Sequence, residues 1–205
     1  HCIPIDEYWL KNLVEPFSNQ NIAMTYGRQL GVEVSKFSEK QLFNKQYPNI
    51  DSNPQQGFFC NNANSCIRAS HWQLKKFNES LTGLEDMEWG KHQTLTGFQI
   101  SYIASAAVYH IHEESWSQIK KRYERESYAL KDIMPEVQIS FLDMIRYFLL
   151  GVIFDYKKAI AQGVFIKYYK EILKFRFFQY YGTYVGNHIH RKISKAKKEE
   201  YFYPN

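Results

Sequence analysis

The spacing of apolar residues changes near residue 111, and this change limits the folds that the chain can adopt. Before it, short alternating or apolar runs predict strands at 21–26, 98–103 and 106–111. After it, apolar residues recur at helical spacing as far as residue 178. We therefore predict an α/β part followed by an all-helical part.

Local signals predict where the helices begin and end. Asp6 can cap a short helix, and residues 84–96 form a longer helix that ends at Gly97. Later helices are predicted over 115–134, 137–153 and 154–178. Residues 27–56 are polar, apart from a brief helical pattern at 40–47, and predict a long surface loop in which Gly27 permits a turn.

Composition and charge narrow the class of protein. The chain has 205 residues, 44% of them apolar, which is enough for a core without disulfide bonds. Its three cysteines, Cys2, Cys60 and Cys66, have no metal-like spacing, which predicts free thiols in a reducing compartment such as the cytoplasm. No uncharged run reaches the roughly 18 to 20 residues of a membrane-spanning helix.

Positive charge is concentrated near the end of the sequence. Residues 1–156 contain 15 Lys and Arg against 18 Asp and Glu, whereas residues 157–205 contain 11 against 3. A basic segment of this kind suits an anionic surface. Because the rest of the chain is net acidic and carries no nucleic-acid recognition motif, we expect no nucleic-acid partner.

An acidic cluster precedes the predicted helix at 84–96. Glu85, Asp86 and Glu88 fall in its first turn, where the helix dipole favours ionised carboxylates. They therefore stabilise the helix in the simplest interpretation. In the alternative, Asp86 points into a cleft and acts as a general base toward a hydroxyl group.

Two histidines mark the end of the last predicted strand. His110 and His112 are two residues apart, so both imidazoles face one side of a strand and can approach one metal ion. A structural histidine at a strand end is the alternative for His110. Arg28 offers a planar cation for phosphate or carboxylate, although a surface salt bridge is the default explanation of a single arginine.

Polar amides at 61–64 allow two interpretations as well. Asn62 and Asn64 can hydrogen-bond a sugar or a base, but such residues also form turns. Glu114, Ser115 and Trp116 begin the helix at 115–134, in which basic and acidic residues alternate, as on a solvated helix face.

Taken in order, these segments resemble the catalytic domain of family 2 glycosyltransferases of the GT-A type, especially bacterial enzymes that build surface polysaccharides. The resemblance covers residues 1 to about 133. It is carried by three motifs in order: Gly83-Leu84-Glu85-Asp86 before a helix, the strand that ends in His110-Ile111-His112, and Glu114-Ser115-Trp116 leading to Arg122-Tyr123-Glu124-Arg125-Glu126.

The resemblance implies a fold and a division of the chain. Residues 1–135 would be the acceptor-side part of a GT-A domain, without its N-terminal nucleotide-binding half. Residues 136–205 would be a basic, aromatic-rich helical extension. His1 would be the last residue of an Asp-X-Asp-like metal motif, in the variant that ends in His. Because the nucleotide-binding half and the start of this motif would be missing, we expect this chain alone to be inactive.

The resemblance also implies residue roles. Asp86 would be the catalytic base, with Glu85 as its neighbour, and His1 and His110 would coordinate Mg²⁺ or Mn²⁺, weakly or not at all in this fragment. Arg28, Asn62, Asn64 and Trp116 would contact the substrates. The intact enzyme would transfer a sugar, with inversion, from a nucleotide-sugar donor to a glycan or lipid-linked acceptor in polysaccharide or lipopolysaccharide biosynthesis.

The C-terminal helices allow two further expectations. Basic and aromatic residues alternate from Lys157 to Tyr181, which suits the surface of an anionic membrane at the inner face of the plasma membrane. The same aromatic residues can instead pack on protein or on a second copy. A non-catalytic oligomerising or membrane-surface module is therefore the alternative function.

Overall fold

The protein has a mixed α/β fold, as the sequence predicts, in a computed structural model that describes residues 2–189 and 195–202. The strands are β1 (Cys2–Pro4), β2 (Ile22–Leu30), β3 (Ser65–Ile67) and β4 (Gln99–His110). The helices are α1 (Trp9–Val14), α2 (Phe37–Gln46), α3 (Ala69–Leu74), α4 (Glu85–Leu95), α5 (Trp116–Ile133), α6 (Phe141–Ala161), α7 (Phe165–Asn187) and α8 (Lys195–Phe202). Short 3₁₀ turns occur at Glu15–Ser18 and Asn62–Asn64.

The described residues form two compact units. The sheet unit takes its described residues from His1–Ser35, Leu42–Ser80 and Leu84–His112. The helical unit takes them from Lys36–Gln41, Leu81–Gly83 and Glu113–Asn205. These packing units do not test the predicted boundary between a GT-A part at 1–135 and a helical extension at 136–205, which stays a prediction.

The sheet is ordered β1-β4-β2-β3, with β4 antiparallel to β1 and parallel to β2. The prediction of two strands within 98–111 is wrong, because β4 is continuous. Small residues at 104–106 weaken the strand signal in the sequence. Other groups bind the backbone there: the Ala104 amide donates to Asp51 Oδ1 at 2.6 Å, and Asn64 Nδ2 donates to Ala106 O at 2.8 Å.

The predicted surface loop at 27–56 is also wrong in its first part. β2 continues to Leu30, and Gly27 lies within this strand rather than in a turn. A Cβ atom on Gly27 would lie 2.0 Å from Ala106 O, so only glycine fits this close approach. Further along, α2 overlaps the brief helical pattern predicted at 40–47, begins three residues earlier, and contributes Phe43 to the core.

Helices α4 and α5 lie within one or two residues of the predicted ranges. A capping box between Ser115 and Gln118 starts α5. The predicted division between helices at 153/154 is wrong, because α6 continues to Ala161. Gly163 has φ +70°, the left-handed conformation that commonly follows a helix end.

Each unit has its own apolar core. In the sheet unit, Met24, Trp89 and Ile100 are fully buried. In the helical unit, Phe37, Ala159 and Ile172 form a buried cluster. All three cysteines are free thiols, as predicted. Within residues 2–189 and 195–202, none of the helices has both the length and the apolar character needed to cross a bilayer.

Candidate functional site

The predicted acidic cluster lies at the start of α4, in the sheet unit. Glu85, Asp86 and Glu88 occupy the first turn. Leu84 precedes them with φ 57° and ψ 26°, a left-handed conformation that costs a residue with a Cβ about 1–2 kcal/mol. Because such strain concentrates at functional positions, the backbone marks the start of α4 as a candidate site.

Asp86 is buried, with 8% of its surface exposed. Its Oδ2 accepts a 2.7 Å hydrogen bond from the Asn62 amide, and its Oδ1 accepts a 2.8 Å bond from the Met87 amide. Cys60 Sγ donates to the Asp86 carbonyl oxygen at 3.1 Å. The side chain is therefore held in one position by backbone groups from two segments.

Burial raises the pKa of Asp86 to about 6, because removing a carboxylate from water disfavours its charged form. The hydrogen bonds from Asn62 and Met87 act in the opposite direction, and the charge of Glu85 adds to the rise. At neutral pH the carboxylate is ionised, yet it is more basic than an exposed aspartate. These are the properties of a general base.

His110 is linked to the same region through two amide side chains. His110 Nδ1 donates to Gln29 Oε1, and Gln29 Nε2 donates to Asn61 Oδ1 at 2.7 Å. Asn61 also accepts from the Ala63 amide at 2.9 Å. Because Asn62 is the next residue and bonds Asp86, a short polar chain connects the two residues that the sequence singled out.

The histidine pair has the arrangement that the strand spacing predicts. The rings of His110 and His112 lie 4.1 Å apart between centroids, and both lie close to the ring of Phe43, although β4 itself ends at His110. His110 is 7% exposed and stacks on Phe43 at 5.7 Å. With Nδ1 as the donor, Nε2 is the atom of His110 through which the imidazole would bind a metal.

Sequence reasoning assigned no role to Gln29 and named Asn61 only as one of the polar amides at 61–64. Gln29 is 1% exposed although it is polar and lies within β2. Its position near the end of a mainly apolar strand, directly after Arg28, gave no distinct signal in the sequence. Its partner His110 is 81 residues away, and sequence spacing does not show such pairs.

The remaining predicted site residues of the sheet unit have local contacts. Arg28 is half-buried and donates to Tyr47 O at 3.3 Å and to Asn49 Oδ1 at 2.8 Å. Asn62 is exposed, and its side chain accepts from Ser65 Oγ at 2.9 Å. Their roles toward substrate stay predictions.

Asn64 braces the sheet. It is 2% exposed, and its amide nitrogen donates to Arg28 O at 3.1 Å as well as to Ala106 O. Its Oδ1 accepts from Trp9 Nε1 at 2.7 Å. Contact between Asn64 and substrate stays a prediction, and these bonds show that the side chain also has a structural task.

Two predicted site residues remain, Trp116 and His1. Trp116 belongs to the helical unit, where it stacks against Phe178 at 6.2 Å and lies 5.9 Å from the Lys174 ammonium group. His1 falls outside the described residues. The structure thus brings Asp86, Glu85, Asn62 and His110 into one region of the sheet unit.

The predicted metal ligands do not by themselves make a binding site for Mg²⁺ or Mn²⁺. These ions prefer several oxygen ligands, with six-fold coordination for Mg²⁺. Of the two predicted ligands, the described residues contain His110 alone, and one imidazole does not hold such an ion. Metal binding therefore stays a prediction that needs ligands beyond His110.

Known proteins give no independent assignment. Comparison with family models, with curated proteins and with solved structures found no significant match.

Proposed function

We propose that this chain carries the acceptor-side part of an inverting family 2 glycosyltransferase of the GT-A type, with Asp86 as the general base. The observation that supports the proposal most strongly is the buried Asp86 carboxylate at the strained start of α4. Its raised pKa suits deprotonation of a sugar hydroxyl near neutral pH. The residue order of the family motifs in the sequence supports the same function.

In the proposed reaction, an acceptor hydroxyl oxygen attacks the anomeric carbon of a nucleotide sugar. The bond from that carbon to the diphosphate oxygen breaks, and both of its electrons leave with the diphosphate. The hydroxyl proton moves to an oxygen of Asp86. Attack from the face opposite the diphosphate inverts the configuration at the anomeric carbon.

The contacts of Asp86 are compatible with this step. Each carboxylate oxygen accepts one backbone N–H, from Asn62 or from Met87. A carboxylate oxygen has two acceptor positions, so each oxygen retains the capacity to accept a hydroxyl proton. The backbone bonds fix the carboxylate orientation, which favours proton transfer along one direction.

We extend the proposal to polysaccharide or lipopolysaccharide biosynthesis, with a glycan or a lipid-linked glycan as acceptor. This part rests on the sequence resemblance. The alternative, a non-catalytic oligomerising or membrane-surface module, uses the C-terminal helices and needs no activity in the sheet unit.

A donor screen tests the proposal. The full natural gene product should be incubated with a panel of nucleotide sugars, glycan acceptors and Mg²⁺ or Mn²⁺, and nucleoside diphosphate release should be measured. We expect release that depends on the acceptor, and a product whose anomeric configuration, read by NMR, is inverted. A folded protein that transfers no sugar from any donor would contradict the proposal, and retention of configuration would contradict the inverting mechanism.

A further inference from the structure

Two rows of exposed apolar side chains run along α6 and α7 in the helical unit. Their members lie mainly three or four residues apart, which keeps each row on one side of its helix. The α6 row consists of Leu142, Ile145, Leu149, Ile153 and Ile160, which are 37–75% exposed. The α7 row consists of Ile166, Leu173, Phe177 and Tyr181, which are 39–80% exposed. We call these residues the apolar rows.

The two helices form one packed pair. Phe148 of α6 meets Phe177 of α7 at 6.3 Å between ring centroids, and Tyr147 meets Tyr180 at the same distance. Between the helices, Arg176 forms a buried ion pair with Asp155. The apolar rows are therefore held on a fixed support.

The most exposed charged side chains on this helix pair are all positive. They are Arg146, Lys157 and Lys158 on α6, and Lys167, Lys170 and Lys174 on α7. The acidic side chains of the two helices are engaged within the protein. Asp143 accepts from Ser140 at the start of α6, Asp155 is buried against Arg176, and Glu171 accepts from the Phe37 amide at 2.7 Å.

This charge pattern discriminates between possible occupants. A second copy meeting the apolar rows with its own would bring like charges together, which is unfavourable. An anionic lipid surface instead meets these six positive side chains with negative charge. Lysine stems can lie along apolar surface while their ammonium groups reach the headgroups, and tyrosine suits the same boundary.

We propose that the α6–α7 helix pair binds the surface of an anionic bilayer, with the apolar rows at the acyl boundary and the surrounding lysines against the lipid headgroups. The binding is peripheral. It combines the two contributions that interfacial helices use, which are buried apolar area and attraction to anionic lipid.

Vesicle flotation tests the proposal on the 205-residue chain. The probes are vesicles of phosphatidylcholine alone and vesicles of phosphatidylcholine mixed with phosphatidylglycerol, each at low and at high salt. We expect binding to the mixed vesicles at low salt, weaker binding at high salt, and little binding to phosphatidylcholine alone. Equal binding to both vesicle types, or no binding to either, would overturn the proposal.

Charge-reversal variants test whether vesicle binding depends on the lysines of α6 and α7 or only on the net charge of the chain. Each Lys near an anionic surface contributes about 1 kcal/mol, so K157E/K170E should weaken binding by about 30-fold or more. The control K11E/K45E changes the net charge equally, at exposed lysines in α1 and α2. We expect a much smaller loss for the control, and equal losses for the two variants would overturn the assignment to α6 and α7.

Apolar substitution tests the rows themselves. L149S/I153S should reduce binding to the mixed vesicles, while the control L74S/L95S removes leucines that are 90% and 77% exposed and should leave binding unchanged. Circular dichroism and urea midpoints check that each variant is folded. If L149S/I153S instead dissociates a dimer detected by light scattering and leaves vesicle binding unchanged, the apolar rows bind a second copy of the chain, which would overturn the proposal. Because flotation needs no activity, its result is independent of the glycosyltransferase proposal.

Discussion

In the full natural gene product, Asp86→Asn should lower the rate of glycosyl transfer by about 10²- to 10⁴-fold, the usual contribution of a general base. The amide has nearly the shape of the carboxylate and can still accept a backbone hydrogen bond. It cannot take the acceptor proton at neutral pH. Because the base acts on the acceptor hydroxyl, donor binding should persist, as initial rates and a donor titration would show.

Asp132→Asn is the matched control. Asp132 is an exposed carboxylate on α5, so its loss should leave the rate unchanged. Both variants lose one negative charge, which separates a chemical role of Asp86 from a change in net charge. Near-normal turnover by Asp86→Asn would exclude Asp86 as the base.

Asp155→Ala should lower the free energy of unfolding by about 3–5 kcal/mol, because it leaves the Arg176 guanidinium buried without its counter-charge. Asp155 is 0% exposed and Arg176 3% exposed. Arg176 Nε donates to Asp155 Oδ2 at 2.7 Å, and Arg176 Nη2 donates to Asp155 Oδ1 at 2.8 Å. Urea denaturation, with the slope checked against the wild type, measures the change.

The double variant D155L/R176M separates the ion pair from the packing around it. It removes both charges and keeps apolar volume, so it should recover much of the lost stability. Asp132→Ala, at an exposed position, should change the free energy of unfolding by no more than about 0.5 kcal/mol. A loss below about 1 kcal/mol for Asp155→Ala would show that Arg176 is solvated or repaired by another partner.

The same ion pair shows where sequence reasoning fails. Arg176 reads in the sequence as one of the cations between Lys157 and Tyr181, a surface residue. The burial of Arg176 depends on the rotation of α7 about its axis relative to α6. Because the sequence prediction placed Asp155 and Arg176 in one helix at 154–178, it could not pair them across two helices. Tertiary packing determines which face of α7 is turned toward α6, and the local sequence pattern does not contain this information.

The start of α4 was predictable for the opposite reason. Acidic residues at 85, 86 and 88 and Gly97 at the other end are local signals, and the helix follows them closely. The left-handed conformation at Leu84 was not predictable, since Gly83 next to it is the residue that usually adopts it. Sequence therefore located the carboxylates, while the strain and the burial of Asp86 required the fold.

The network around His110 lies between these cases. The position of His110 at the end of a strand was predicted from the local sequence pattern. Its closeness to His112 was predicted from the geometry of a strand. Its bond to Gln29 depends on the parallel pairing of β2 with β4, which joins residues more than 70 positions apart. The polar chain from His110 to Asn61 could not be predicted from spacing alone.

The pH dependence of kcat/KM for glycosyl transfer tests the central claim most directly. A protonated Asp86 cannot accept the acceptor proton, and its pKa is raised to about 6. Wild-type kcat/KM should therefore rise with pH through about 6 and then level off, because this parameter reports the free enzyme. The residual activity of Asp86→Asn should lack that rise. An inflection near pH 6 that persists in Asp86→Asn, or a wild-type profile without one, would contradict the assignment of Asp86 as the base.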